Sequence, residues 1–239
     1  MEETHLEETM GKVLAVIPAY NEEKNIEAVV EGLALQSSWL DYVVVNDGST
    51  DETAGICRRK GYNLLDLPVN LGLAGCFQAG MKYACIKGYQ YVIQFDGDNQ
   101  HKPEFIKLMK EKMDEGYDLV IGSRFLIKQK DFSMRMVGSR LITAAIRLTT
   151  GVKLTDPTSG MRMFNREMIR EFAWNLNYGP EPDTVSYLLK QGARVAEVPV
   201  VIGERTGGES YLKPGVAAGY MVRMLISILL VQNFRKRKQ

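Results

Sequence analysis

Residues Tyr91 to Glu104 read YVIQFDGDNQHKPE, and within them two carboxylates, Asp96 and Asp98, flank a single glycine. Residues two apart on extended chain share a face, and Gly97 adds a backbone that bends freely with no side chain in the way. Gln100, two positions further on, supplies a carboxamide oxygen. Three oxygen donors at this spacing suit a hard divalent ion, Mg2+ or Mn2+, held by few protein groups so that positions stay open for phosphate oxygens. Asp96, Asp98 and Gln100 are therefore the candidate ligands of a metal-diphosphate site. A lone DGD reads more readily as a turn. Its place after the apolar run Tyr91 to Phe95 favours chemistry, because open parallel sheets bind ligands outside the carboxyl ends of their strands.

The elements that would present this loop can be read on both sides of it. Val13 to Ile17, ended by Pro18, has the apolar character of a central strand. After it, Asn21 is placed to cap a helix that carries Glu22 and Glu23 in its first turn and Ile26, Val29, Val30 and Leu33 on its apolar face. Tyr42 to Val45 is a second strand, followed by Asn46-Asp47-Gly48-Ser49 and a capping-box pattern from Ser49 to Glu52. A third unit runs from Tyr62 through Leu67 into NLGLAG (Asn70 to Gly75) and a helix burying Phe77, Met81, Ala84 and Cys85. Beyond the DGD loop, Pro103 opens a helix with Ile106, Met109 and Met113 inward, and Tyr117 to Ile121 returns as a strand. A helix from about Ser133 to Thr150 sets Val137, Leu141, Ala144, Ala145 and Leu148 at burial spacing. DPTSGMRMF (Asp156 to Phe164) turns into a short strand, Glu181 to Lys190 is a helix, and Arg194 to Ile202, broken by Pro199, is an edge strand. Repeated strand, loop and helix predict an α/β fold with a mostly parallel central sheet flanked by helices.

Composition fits this frame without deciding function. Hydrophobic residues make up 45% of the 239, charged residues 25%, and the formal net charge is +1, as in an ordinary globular chain. Gly122 to Arg170 nevertheless holds ten Lys or Arg against three Asp or Glu, and Arg235 to Lys238 are four consecutive cations. Such patches suit phosphates or an anionic membrane, and no nucleic-acid partner is expected. Cys57, Cys76 and Cys85 lack metal spacing and read as reduced, buried thiols. With only His5 and His101 beside them, no zinc site is expected. A dehydrogenase is excluded by the missing GxGxxG after the first strand, and a P-loop is missing too.

The motifs VIPAYNEE (Val16 to Glu23), VVNDGSTDET (Val44 to Thr53), NLGLAG, FDGDNQHKPE, GSRF (Gly122 to Phe125) and DPTSGMRMF stand in this order. Together they resemble an inverting family 2 glycosyltransferase with the GT-A fold, in pattern the dolichyl- or polyprenyl-phosphate sugar synthase branch. The resemblance covers roughly Val13 to Ser210. It implies a nucleotide pocket lined by Pro18, Ala19, Tyr20 and Glu22, with Asp47 at the base, Gly48 keeping its loop small, and Gly72 and Ala74 letting backbone approach the nucleotide. Asp96 would face the ribose or the metal, with Asp98 and Gln100 on the metal. Arg124 and Arg205 are the arginines for a leaving nucleoside diphosphate, Arg205 in RTGGES, which is similar to the family's acceptor-side loop. Many members read DADLQHPP where this chain has Gly97, Asn99 and Lys102. Glu181 and Asp183, in GPEPDT, stand where sugar-acceptor members place a base, and they read equally as helix-start acids.

The expected organisation is a mobile acidic tail (1–11), a GT-A domain (12–213), and a C-terminal amphipathic helix with a basic tail (214–239). Between Gly215 and Val231 only Arg223 is charged, and this is short of the roughly 20 apolar residues of a membrane span. An interfacial helix with a basic anchor implies a peripheral enzyme at the cytoplasmic, inner face of the cell membrane, with a small membrane-protein partner as a further candidate. The acceptor implied is polyprenyl phosphate, for cell-surface glycan assembly. Two alternatives stand beside it: elongation of a polysaccharide or lipid-linked glycan, and an idle sugar-nucleotide-binding subunit.

Overall fold

The computed structural model describes residues 11–36, 38–127, 134–176, 178–203 and 214–232. The acidic residues 1–10, Arg205 with the loop to Ser210, and Arg235 to Lys238 lie outside the described residues.

The apolar runs form one seven-stranded sheet: β1 (Val13–Ala19), β2 (Leu40–Asn46), β3 (Leu64–Asp66), β4 (Tyr91–Gln94), β5 (Leu119–Ser123), β6 (Arg162–Asn165) and β7 (Val195–Pro199). Their order is β3-β2-β1-β4-β6-β5-β7. All pairings are parallel except those of β6, which runs antiparallel to β4 and β5. The chain moves outward from β1 through β2 to β3 and then returns to the other side of β1 at β4. The loops after β1 and β4 therefore open at a topological switch point, where doubly wound sheets bind their ligands. Because β6 is reversed, its first residue, Arg162, lies at the same end as the last residues of the other strands.

The helices are α1 (Ile26–Ala34), α2 (Thr53–Lys60), α3 (Gly72–Lys87), α4 (Phe105–Asp114), α5 (Met134–Thr150), α6 (Arg166–Arg170, running into a π-helical turn, Glu171–Asn175), α7 (Pro182–Lys190) and α8 (Pro214–Ile226, running into Ser227–Val231). Both faces of the sheet are covered, which explains why β1 is apolar at every position. Leu14 and Val16 point to a core shared with Phe77 and Met81 of α3, Ile142 and Ile146 of α5, Phe172, Val185 of α7 and Ile228. Val13, Ala15 and Ile17 alternate to the opposite core with Ile26 and Val30 of α1 and Ile106 and Met109 of α4. Each fully buried Ile or Leu here contributes about 1.5–3 kcal/mol. The helix α3 rides close on β1: a Cβ at Gly80 would come within 2.3 Å of Val16.

Three local expectations are corrected. Asn21 does not cap α1; it adopts φ 57°, and the helix starts at Ile26, after Glu22 and Glu23. Ser49 and Glu52 form no capping box, and α2 starts at Thr53 with no side-chain cap from Glu52. Most of the face of α5 expected to be buried is turned outward: Leu141 and Leu148 are 51% and 79% exposed and Val137 is exposed, whereas Ala145 is buried as expected and packs with Ile142 and Ile146. Ala144 is exposed as well. That helix carries aliphatic residues on both sides, and the sheet accepts only one of them.

Candidate active site

The two loops that leave β1 and β2 are stitched together. Asn21 N–H donates to Ser49 Oγ (3.0 Å), Thr50 N–H to Asn21 Oδ1 (2.9 Å), Glu22 N–H to Thr53 Oγ1 (2.8 Å), Glu23 N–H to Asp51 Oδ2 (3.1 Å) and Glu52 N–H to Glu23 Oε2 (3.1 Å). The polar residues that read as helix caps instead satisfy the neighbouring loop's backbone. Pro18, Ala19, Tyr20 and Glu22 thus belong to a braced platform, with Tyr20 exposed and Ala19 buried. Glu22 Oε2 also accepts from Asn25 Nδ2 at 2.8 Å.

Asp47 is buried, and its Oδ1 accepts from Leu71 N–H at 2.7 Å, so it holds the NLGLAG loop against β2. Gly48 has φ 66°, and a Cβ there would lie 2.7 Å from Asn70 N and 2.8 Å from Val69 C. Only glycine permits both that conformation and that approach. Gly72 opens α3 with φ 72°, and Ala74 sits in the helix's first turn, where unpaired N–H groups favour negative charge.

The DGD loop lies beside the β1 platform. A Cβ on Gly97 would be 3.0 Å from Pro18 O, so the missing side chain lets the loops touch. Asp96 is fixed by its surroundings: its N–H donates to His101 Nδ1 (3.0 Å), and its Oδ2 lies 3.4 Å from His101 Nε2. With Nδ1 accepting, the ring carries its proton on Nε2, toward the carboxylate. Gly160, from DPTSGMRMF, makes room for that carboxylate, since a Cβ there would be 2.7 Å from Asp96 Oδ2. Asp98 is buried, and its Oδ1 accepts from Gln100 N–H at 3.1 Å. Gln100 Nε2 donates to Gly203 O at 3.4 Å, which leaves its Oε1 as an acceptor. Among the described residues no three His, Cys, Asp or Glu side chains gather around one point. The candidate donor set, two carboxylates and one carboxamide, is all oxygen, a chemistry that fits a hard cation completed by diphosphate and water.

Arg124 is clamped rather than free. Its Nε and Nη2 donate to Asp156 Oδ2 (2.6 Å) and Oδ1 (2.8 Å), and its N–H donates to Oδ2 at 3.1 Å. Asp156 is 0% exposed, and Glu197 in turn accepts from the N–H groups of Thr155 and Asp156 at 2.6 and 2.7 Å. Among the described residues no hydrogen bond uses Arg124 Nη1.

Glu181 and Asp183 sit at the start of α7 and are engaged by the C-terminal helix. The Tyr220 hydroxyl donates to Glu181 Oε2, Ser227 Oγ donates to Asp183 Oδ2 at 2.6 Å, and Gln232 Nε2 lies 3.4 Å from the same oxygen. Burial and then Glu181 raise the Tyr220 pKa far above the phenol's ordinary value, so it stays a donor. Beneath them Arg162 is fully buried, donating from Nη1 to Pro180 O and from Nη2 to Pro157 O (2.7 Å). Burial lowers its pKa, while Glu181, Tyr220, Asp156 and Asp96 act in the opposite direction.

Sequence reasoning missed Asp156, Arg162, His101, Gly160 and Glu197. Two signals were present: DPTSGMRMF carries an Asp and an Arg within an otherwise apolar and small-residue run, and His101 directly follows the third metal candidate.

Residues 14–172 match the model of glycosyl transferase family 2. The chain belongs to glycosyltransferase family 2. Its family-2 relatives include the polyprenol monophosphomannose synthase of Mycolicibacterium smegmatis, 27% identical over 83% of this chain and 80% of that one. The dolichyl-phosphate hexose transferase of Haloferax volcanii is 26% identical over 96% of this chain and 99% of that one. The expected resemblance to polyprenyl-phosphate sugar synthases is thereby borne out. Glucosyl-3-phosphoglycerate synthase of Mycobacterium tuberculosis, solved with Mn2+, UDP-glucose and phosphoglyceric acid, superposes with a TM-score of 0.72 at 20% identity, covering 99% of this chain and 85% of that one. The GT-A architecture expected from the motifs is borne out by this likeness in fold.

Proposed function

We propose that this glycosyltransferase moves a hexosyl group from a nucleotide-diphosphate sugar, UDP-linked, to polyprenyl phosphate with inversion, at the inner face of the cell membrane. The observation that carries the reading is the meeting of three loops at the switch point: the β1 platform, the Asp47-anchored NLGLAG loop and the DGD loop. The names of the relatives from Mycolicibacterium and Haloferax support the lipid-phosphate acceptor.

In this reading Pro18, Ala19, Tyr20, Glu22, Asp47 and Gly48 surround the nucleoside, and Gly72 and Ala74 bring the α3 N-terminus to the diphosphate. Asp98 and Gln100, with Asp96, would hold Mg2+ or Mn2+, which when bound supplies a Lewis acid for the departing diphosphate. An oxygen of the acceptor phosphate attacks the anomeric carbon as the bond to the diphosphate breaks, so one C–O bond replaces another and configuration inverts. The acceptor phosphate, with a second pKa of about 6, is already anionic near neutral pH. No base is required, and the carboxylates that read as base candidates, Glu181 and Asp183, have oxygens committed to α8. Arg124, with Asp156 fixing its plane, stabilises the charge that develops on the leaving group, and Arg205, outside the described residues, is the second arginine of this reading. A panel of nucleotide sugars offered with polyprenyl phosphate in detergent tests the reaction. Sugar from one donor should become extractable as a lipid phosphate ester, and transfer only onto preformed glycan would overturn the reading.

Approach to the membrane is assigned to the outward faces of α5 and α8. No helix among the described residues is long and apolar enough to cross a bilayer. Leu141 and Leu148 of α5 and Leu230 of the α8 extension are exposed, and the two helices pack closely, with a Cβ at Gly138 falling 2.9 Å from Met221. Neither Met134–Thr150 nor Pro214–Val231 contains an acidic residue, and the chain continues into Arg235 to Lys238. Apolar insertion and attraction to anionic lipid act together. Replacing Leu141 and Leu148 by Glu should reduce cosedimentation with anionic vesicles while the fold persists. Equal sedimentation of the variant would remove α5 from the contact.

A further inference from the structure

We infer that the cavity between α8 and the loop preceding α7 receives the isoprenoid segment next to the acceptor phosphate; the inference rests on the reaction proposed above. The cavity has a volume of about 640 Å3, within the roughly 300–1,000 Å3 of small-molecule sites. One wall is Ala74, Tyr178 and Gly179, and the other is the α8 side chains Val222, Ile226 and Val231.

Three observations point to an apolar chain as the occupant. First, the cavity adjoins the donor site proposed above: Ala74, at the NLGLAG helix start, lines it, and a Cβ on Gly179 would be 3.3 Å from Ala74 Cβ. Second, both acids of its polar floor are engaged, Glu181 by Tyr220 and Asp183 by Ser227 and Gln232, which leaves Arg223 as the charged group at its rim and a cation for the acceptor phosphate rather than for its hydrocarbon. The aliphatic α8 wall of Val222, Ile226 and Val231 matches a hydrocarbon. Third, Gly219 lines the cavity, and nothing lies within 4 Å of where its Cβ would be. A mid-helix glycine is unfavourable relative to alanine, and here its effect is to leave the wall bare.

The same helix thus presents Leu230 outward to the bilayer and Val222 and Ile226 to the cavity, so a lipid leaving the membrane passes along one element to reach the donor.

Filling the cavity tests the assignment. Gly219→Trp and, separately, Ile226→Trp are assayed with geranyl phosphate in detergent-free solution and with undecaprenyl phosphate in vesicles, alongside UDP affinity by calorimetry. Each variant is expected to raise KM for both acceptors by about tenfold or more while UDP affinity is retained. Two independent positions guard against one failing to fold. An unchanged KM for geranyl phosphate in a folded variant overturns the inference, and a loss confined to vesicles does so as well, since it assigns α8 to the membrane alone. A wild-type enzyme that transfers to no prenyl phosphate overturns the acceptor reading itself, and the cavity assignment falls with it.

Discussion

Asp98→Asn is expected to reduce turnover by about a hundred- to a thousandfold, the range seen when one stabilising group for developing charge is removed, with the fold intact. Asp98 hydrogen-bonds to Gln100 N–H through Oδ1, and the carboxamide oxygen of asparagine can accept that bond. The loop is therefore retained while one of only two carboxylates is lost. With so few charged donors, neither cation affinity nor neutralisation of the leaving diphosphate survives the change. Initial rates at saturating Mn2+, with circular dichroism and thermal melting as controls, decide the matter. Near-normal turnover with unchanged folding would remove Asp98 from the metal site.

The largest loss of stability among the site's residues is expected from Asp156→Ala. Removing one partner of a buried ion pair costs about 3–5 kcal/mol, because the remaining charge is stranded. Here the carboxylate is completely buried and accepts from the Arg124 N–H, Nε and Nη2 and from the Thr158 hydroxyl (3.0 Å). Arg124 is 25% exposed, so water recovers part of the loss and the lower figure, about 3 kcal/mol, is expected. For a chain of this size that corresponds to a melting temperature lower by about 6–12 °C. Transfer should slow even below the melting point, since the guanidinium loses its bidentate partner and keeps, among the described residues, the Thr158 hydroxyl (3.2 Å) and the Phe125 ring. A variant that melts within about 2 °C of wild type would show that the pair is not a significant source of stability.

Much of the donor side was legible because its signals are contrasts. Polar motifs follow apolar runs, and each run became a strand: Pro18 to Glu22, Asp47 to Gly48 and Asp96 to Gln100 all emerge at one end of the sheet. The misreadings share a physical cause, the replacement of local bonds by distant ones. Asn21 and Ser49 have the chemistry of caps, yet their partners lie 28 and 29 residues away in the adjoining loop. The reversal of β6 leaves no mark in Arg162 to Asn165, since a short apolar strand reads alike in both directions. The helix α5 could not be oriented from its spacing, because Leu141 and Leu148 repeat as regularly as Ile142 and Ile146. The fully buried Arg162 was hidden for a related reason: its partners are the carbonyl oxygens of two prolines in loops that meet only in the folded chain.

The unequal bracing of the two sides has an engineering consequence. The donor platform is built from loops that interlock, so a substitution in one is felt in the other, and nucleotide preference resists piecemeal change. The proposed acceptor wall is instead contributed by α8, the last helix described, held to the α7 start by Tyr220, Ser227 and Gln232 and to the core by Met224 and Ile228. Grafting a foreign segment that keeps those polar contacts and the two core residues would leave the interlocked loops untouched. On the assignments proposed above, recipient specificity would be the interchangeable part of this fold, and donor specificity the fixed one.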